Sequence, residues 1–359
     1  MTISIIGTVG VPAGYGGFET LAQNLVEYNS ASGNGAEVCV YCSAKAFPER
    51  PDHYRTARLR YIRLDANGPQ SIAYDALSLF DAVRRGDHRV LLLGVSGALA
   101  LPLVRLISRT RIVTNIDGIE WKREKWKGLA KTVLRASEWA AVRFSHIVIA
   151  DNQAIADYVT EAYARPCKVI PYGGDHTLDA APDPTAVAEL PENYALALCR
   201  IEPENNVAMI LEAFAGLDTP LVFVGNWDKS DYGRDLKARY MGHSTITIHD
   251  PVYEPRGLRA IRDRASMYVH GHSAGGTNPS LVEMMHFGVP VLAHGCSFNR
   301  HSTEGKARYF ESAAELAEQL RNLDIEDADR IGADMLEIAQ RKYTWDQIGK
   351  AYFELLDHA

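Results

Sequence analysis

Long apolar runs are missing. No stretch reaches the roughly 18 to 20 residues that a membrane-spanning helix needs; the longest candidate, residues 90–107, is interrupted by Gly94, Gly97, Pro102 and Arg105. The opening Met1-Thr2-Ile3-Ser4-Ile5-Ile6-Gly7 has no basic start and no cleavage pattern, and reads as a strand rather than a signal peptide. Cysteine is scarce. The five at 39, 42, 167, 199 and 296 are odd in number and thinly spread, which excludes a disulfide framework. Cys39 and Cys42 have CxxC spacing but lie in an alternating strand pattern, not at a helix N-terminus where a thiol is acidified. They are read as core or strand-edge cysteines. Positive charge is not in excess either: 38 lysines and arginines against 45 acids leave a net charge of −7, so no global basic field advertises nucleic-acid binding. No short-period repeat or low-complexity tract is visible. The expected compartment is the cytoplasm.

What is present is an ordinary folded composition, 47% hydrophobic and 23% charged over 359 residues. That length suits two domains of roughly 150 residues each. The first half alternates strands with helices: strands at 3–6, 37–42, 60–64, 90–93, 111–115 and 146–149, and helices at 18–31 and 74–84. The second half repeats the pattern, with strands at 194–198, 220–224, 245–249, 267–270 and 290–293 and helices at 206–215, 255–264 and 280–287. Continuous apolar strands alternating with helices mean parallel sheets covered on both faces. The fold class is α/β, two Rossmann-like doubly wound domains facing a central cleft. Pro171-Tyr172-Gly173-Gly174-Asp175 and the prolines at 182 and 184 mark a linker. The expected domains are therefore 1–175 and 176–343, with 344–359 as a terminal helical segment. Dehydrogenases, nucleotide-sugar transferases and nucleotide-sugar epimerases share this architecture, so fold alone does not choose among them.

The loop after the first strand runs Gly7-Thr8-Val9-Gly10-Val11-Pro12-Ala13-Gly14-Tyr15-Gly16-Gly17-Phe18-Glu19-Thr20. Its glycine spacing fails the dinucleotide fingerprint, and no acidic residue closes the second strand, which argues against NAD. The loop is either a tight turn or a cradle for a phosphate or sugar, and five glycines in eleven residues favour the cradle.

Three segments of the second half fall at strand ends. Arg200, in Cys199-Arg200-Ile201-Glu202-Pro203-Glu204-Asn205-Asn206, suits a bidentate grip on a diphosphate. Gly225-Asn226-Trp227 either admits a nucleobase or turns the chain. The segment from His270 through His272, Gly275, Gly276, Thr277, Asn278, Pro279 and Ser280 to Glu283 is a glycine-rich turn entering a helix, with Asn278 as its N-cap and Pro279 in the first turn. Glu283, one turn in, is placed to accept a ribose hydroxyl. His270 and His272 lack a third ligand at metal spacing; one of them lies near a donor sugar or is a satisfied strand-end histidine.

Taken together, the glycine loop, Asp117-Gly118-Ile119-Glu120-Trp121-Lys122-Arg123-Glu124-Lys125-Trp126, the Arg200 segment and Gly275-Gly276-Thr277-Asn278-Pro279-Ser280 resemble glycosyltransferase family 4, and more narrowly its bacterial rhamnosyltransferase-like branch. The resemblance covers essentially the whole chain. It implies a GT-B architecture, an acceptor bound mainly by the first domain, a nucleotide sugar bound by the second, a terminal helix crossing back to the first, and retaining transfer with no metal or other cofactor. The family's usual pair of glutamates with seven residues between them is incomplete: Glu283 is the second, and the first would fall at Gly275. The usual lysine after the arginine would fall at Asn205. Both departures point to a donor not gripped through its 3- and 4-hydroxyls, such as L-rhamnose on dTDP. The alternatives are a UDP- or GDP-hexose donor, or a nucleotide-sugar epimerase of the same fold.

On this reading the donor is held by Gly16, Gly17, Arg200, Asn205, Gly225, His272, Gly276, Thr277, Asn278, Ser280 and Glu283. The acceptor side falls on Tyr15, Phe18, Trp121 and Lys122. Arg200 and backbone amides stabilise the leaving diphosphate, and Asp117 or Glu120 positions or deprotonates the acceptor unless Asp117-Gly118 is only a turn. Residues 121–144 carry seven lysines and arginines against Glu124 and Glu138. That basic, tryptophan-bearing stretch is expected at the inner face of an anionic membrane, where a lipid-diphosphate-linked saccharide would be met.

Overall fold

A computed structural model of the chain describes residues 1–14, 16–33, 35–116, 118–119, 121 and 128–358. The chain divides into two compact units, Met1–Pro171 with Trp345–Ala359, and Tyr172–Thr344. The sequence places this boundary at 175, and hydrogen bonding moves it back. Ile170 N–H still donates to Ala150 in the first sheet, whereas Gly174 N–H already donates to the Tyr343 carbonyl at 2.7 Å. A Cβ at Gly174 would lie 2.8 Å from the backbone of Val282 and Glu283, so the glycine permits that approach.

The first unit holds eight strands: β1 Thr2–Ile6, β2 Glu37–Ser43, β3 His53–Tyr54, β4 Ala57–Ile62, β5 Arg89–Leu93, β6 Arg111–Asn115, β7 Ile147–Ala150 and β8 Lys168–Val169. Their order is β3-β4-β2-β1-β5-β6-β7-β8, parallel throughout except for the β3–β4 pair. The helices are α1 Gly17–Ser32, α2 Ser71–Arg85, α3 Leu101–Ile107, α4 Gly128–Phe144 and α5 Gln153–Tyr163. Val90, Leu91 and Leu92 of β5 are fully buried, as a strand covered on both faces must be. Cys39 and Cys42 are buried in β2, and burial pushes the Cys42 thiol up to about 12, which makes it inert.

The second unit has a six-stranded parallel sheet: β9 Tyr194–Leu198, β10 Leu221–Val224, β11 Ile246–His249, β12 Ala265–His270, β13 Val291–His294 and β14 Arg308–Phe310, ordered β11-β10-β9-β12-β13-β14. Around it lie α6 Val207–Ala215, α7 Asp231–Tyr240, α8 Pro255–Arg264, α9 Pro279–Met285, α10 Ser297–Ser302, α11 Ala313–Arg321 and α12 Ile325–Lys342. The terminal helix α13, Trp345–His358, returns to the first unit. It packs on α1, where Gly349 leaves room for the Tyr28 ring and Phe353 stacks on Tyr28 at 5.8 Å. Asn115 Nδ2 donates to Tyr352 Oη at 2.7 Å, and Arg89 Nε donates to the Leu356 carbonyl.

The strand expected at 60–64 is in fact Ala57–Ile62. It is half exposed with alternating arginines, so its apolar signal is weak. Helices α3, α5, α7, α10, α11 and α12 and edge strands β3, β8 and β14 were not anticipated; the three strands are only two, two and three residues long. Among the described residues no helix is long and apolar enough to cross a membrane.

Candidate functional site

In parallel α/β sheets ligands are met at the carboxyl ends of the strands. In the second unit two loops at that edge are laced together. Asn205, after β9, is buried; its Nδ2 donates to the Arg200 carbonyl at 2.7 Å, and its Oδ1 lies 2.6 Å from His272 Nδ1. Asn206 Nδ2 donates to the Gly271 carbonyl at 2.8 Å, and Ser273 N–H donates to the Glu204 carbonyl. Asn205 was expected at the donor, but both ends of its amide are engaged inside the protein, so it acts as a strut between loops. The same contact puts the His272 proton on Nδ1. Arg200 leaves the strut with its guanidinium exposed and only a loose approach to Glu202, 3.8 Å away.

Asn278 caps α9. Its Oδ1 accepts from Ser280 N–H at 3.0 Å and from Ser280 Oγ at 2.8 Å, with Pro279 in the first turn. Thr277 is buried beside them and Gly276 is partly exposed. His270 is enclosed, and burial holds its pKa well down, so it stays neutral; its Nε2 has no partner. Among the described residues no three of His, Cys, Asp and Glu are grouped to hold a metal ion. Gly225 is explained by packing: a Cβ there would lie 2.4 Å from Ile201 Cδ1. Trp227 is fully buried against Phe223, so that segment turns the chain into the core.

Glu283 is not a free carboxylate. Arg262 of α8, whose side chain is only 4% exposed, pairs with its Oε2, and His176 Nε2 lies 3.6 Å from Oε1. Burial lowers the His176 pKa, against the pull of Glu283. Sequence reasoning missed Arg262, although it lies on the buried side of its helix beside Ile261 and one turn after Leu258. Removing one partner of such a pair strands the other. Arg262→Ala is expected to cost about 3 kcal/mol in urea unfolding; an unchanged midpoint would show that water compensates the carboxylate.

In the first unit the glycine loop has a conformational reason for each of three glycines. Gly7, Gly10 and Gly16 have φ of 95°, 136° and 133°, and a Cβ at Gly7 would lie 2.0 Å from the Leu93 carbonyl oxygen. The loop also carries its own anion. Glu19, buried in the first turn of α1, accepts from Val9 N–H at 2.8 Å and from Thr8 Oγ1 at 3.2 Å. Its Oε2 occupies the space beside Gly16. A diphosphate at the Gly16 and Gly17 amides would have the Glu19 carboxylate as its neighbour.

Beside this loop lies a pocket of about 300 Å³ at the carboxyl ends of β1, β5 and β6, lined among others by Phe18, Asn67, Ser71, Ser96 and Asp75. Asp75, on α2, is 2% exposed. One oxygen accepts from the Gly97 backbone and Oδ1 has no partner. Burial pushes the carboxyl up to about 8, with the Gly97 bond pulling the other way. Sequence reasoning missed Asp75 too, and the signal was again an ionisable residue in register with the buried Ser78, Leu79 and Ala82.

Tyr15, Asp117, Glu120 and Lys122 lie outside the described residues, as do 123–127 of the basic stretch. The described neighbours of Asp117, Ile116 and Gly118, line the pocket. Trp121 is anchored inward: its Nε1 donates to buried Glu138 at 3.1 Å, with Lys131 and Arg135 over its ring.

A family model described as a domain of unknown function (DUF1972) matches residues 1–175. Comparison with curated proteins finds no match. Among solved structures the chain is similar to sucrose-phosphate synthase (tll1590) from Thermosynechococcus elongatus, at TM-score 0.81 and 17% identity over 100% of both chains. It is also similar to Anabaena Alr3699/HepE in complex with UDP-glucose, at TM-score 0.72 and 18% identity over 100% of both chains. A third is the catalytic domain of starch synthase IV from Arabidopsis thaliana bound to ADP and acarbose, at TM-score 0.72 and 13% identity over 99% of this chain and 98% of that one. The chain thus has the GT-B fold.

Proposed function

We propose that the chain is a retaining glycosyltransferase of the family 4 rhamnosyltransferase-like kind. It moves L-rhamnose from dTDP-L-rhamnose onto a lipid-diphosphate-linked or growing polysaccharide acceptor. The observation that carries this reading is the carboxyl edge of the second sheet, where an exposed guanidinium only loosely approached by Glu202 and a carboxylate held by a buried arginine flank a capped glycine-rich turn. A cation for a diphosphate beside a fixed acceptor for a sugar hydroxyl is what a nucleoside diphosphate requires. The likeness to HepE, which was solved with UDP-glucose, supports a nucleotide-sugar donor.

In this reading Arg200 and the amides near Gly276 and Ser280 hold the diphosphate, and Glu283 takes a hydroxyl of the nucleoside sugar. The acceptor sugar enters the pocket of the first unit, stacked on Phe18 with a hydroxyl on Asp75. The acceptor oxygen attacks the anomeric carbon on the face of the departing phosphate. The bond from that carbon to the phosphate oxygen breaks, and the phosphate oxygen takes the acceptor proton. No metal is needed for that charge balance. Asp117 and Glu120 remain candidates for positioning the acceptor. Helix α4 faces an anionic membrane with Lys131, Arg135 and Arg143, together with Leu129 and Trp139, which are 80% and 51% exposed.

A thermal-shift panel of dTDP-L-rhamnose, UDP-glucose and GDP-mannose tests the donor. At a hundredfold excess over its dissociation constant a ligand stabilises by about 2.7 kcal/mol, a shift of a few degrees. The expected responder is dTDP-L-rhamnose. Stabilisation by UDP- or GDP-hexose alone would sink the rhamnose assignment, and turnover of donor without acceptor would favour an epimerase.

A further inference from the structure

The opposite edge of the first sheet, at the amino ends of its strands, gathers positive charge, while the acids there are engaged elsewhere: Asp87 pairs with Arg85 and accepts from Ser4, and Glu37 accepts from Thr2. Arg89 and Arg111 open β5 and β6 and stand directly opposite each other in register. Like charges so placed repel. Arg105, on α3, reaches His146, which precedes β7. Arg165 donates to the carbonyls of Arg143 and Ser145 at the end of α4. Among the described residues none of these four arginines pairs with a carboxylate. A pocket of about 510 Å³ opens beside them, lined by His146, Arg165, Cys167 and Lys168.

The hydrogen bonding there is short of an acceptor. His146 Nδ1 accepts from Ile112 N–H at 2.9 Å, which uses the one lone pair of a neutral imidazole. Its Nε2 must then carry the proton, yet it faces the Arg105 guanidinium, which has only donors. Burial and the four surrounding arginines hold the His146 pKa down to about 4, so protonation at neutral pH does not change this count. A donor facing a donor is relieved by an oxyanion that accepts from both.

The flank of this site is apolar. On α3, Leu106 is 82% exposed and Ile107 is 56% exposed, and Trp139 of α4 packs edge-on against Phe144 with Arg143 over that ring. Arginines beside outward leucine and isoleucine match an anionic bilayer surface, where the charge meets phosphate and the side chains enter the acyl boundary. A free phosphate would have no use for the apolar rim.

We propose that the amino edge of the first sheet docks the phosphate headgroups of anionic lipid between Arg105, Arg111 and Arg165 around His146, with Leu106 and Ile107 in the bilayer interface. This site lies at the other end of the strands from the acceptor pocket and does not depend on the transferase reading.

The test is cosedimentation of the full-length chain with vesicles of phosphatidylcholine alone or mixed with phosphatidylglycerol. Wild type is expected on the mixed vesicles only, and less at raised salt. The pair Arg105→Glu and Arg111→Glu should lower partition at least about tenfold, and Leu106→Ser should lower it without altering charge. Should the charge reversals fail to fold by circular dichroism, Arg105→Gln with Arg111→Gln replaces them. Equal binding to both vesicle types, or binding lost in Leu129→Ser but kept in the arginine variants, overturns the site. So does stabilisation by inorganic phosphate with no vesicle binding.

Discussion

Arg200→Ala is expected to lower donor-dependent sugar transfer by at least about a hundredfold while leaving the melting temperature nearly unchanged. The two halves of that expectation have different causes. The guanidinium is exposed and among the described residues meets only Glu202, at 3.8 Å, a contact of a kind worth about 0 to 1 kcal/mol to folding. At the reacting centre the same group would face charge developing on the leaving diphosphate, and removal of one such donor typically costs 10²- to 10³-fold in kcat, or roughly 3 to 4 kcal/mol. Arg200→Lys should recover only part of the loss, because a lysine keeps the charge but not the planar fork. Transfer to a purified acceptor by Arg200→Ala at the wild-type rate would move the diphosphate elsewhere.

The second large effect is on stability. Burial pushes the folded Asp75 carboxyl from the ordinary 3.8 up to about 8. Between those values the folded chain keeps a proton that the unfolded chain has released, so rising pH favours unfolding. The loss begins near pH 4, steepens to about 1.4 kcal/mol per unit and levels off above pH 8, reaching on the order of 5 kcal/mol. Asp75→Asn has no proton to lose. Its oxygen can keep the Gly97 bond while its amide nitrogen takes the place of the unpartnered oxygen. Urea midpoints measured from pH 5 to pH 9 should therefore diverge, with the variant increasingly the more stable. Parallel curves would mean that the carboxylate is solvated from the pocket. In transfer the variant should differ mainly above about pH 8, where the wild-type carboxylate accepts a hydroxyl and an amide nitrogen cannot.

Much of the scaffold was legible because it is written in runs. Val90 to Leu93 and Leu221 to Val224 are continuous apolar strands, and only a parallel sheet covered on both faces uses them. The Asn278 cap and Pro279 were legible for a local reason: this cap joins residues only two positions apart. The short edge strands were not, because two or three residues carry no period. Asp75 and Arg262 were overlooked for one shared reason. Each is an ionisable residue on the apolar stripe of an otherwise regular amphipathic helix, and a reading tuned to strand-end loops passed over the helices. Glu19 stood within the glycine motif and was given no role, although an acid in a first helical turn is itself an anion for the loop amides.

The sequence by itself determined two α/β units, their strand order in time, and the terminal helix, because hydrophobic period and chain order are local properties. Only the tertiary structure decided which polar groups were already spoken for. Asn205 and His272 are 67 residues apart, Arg262 and Glu283 are 21 apart, and Arg105 meets His146 across 41. Such pairings fix whether a side chain is a strut, a held acceptor or an unmet donor, and they depend on distances in space that no spacing along the chain encodes. The net negative charge is a case of both. Composition gave −7, and folding separated the arginines at one sheet edge from the acids that cancel them in the sum.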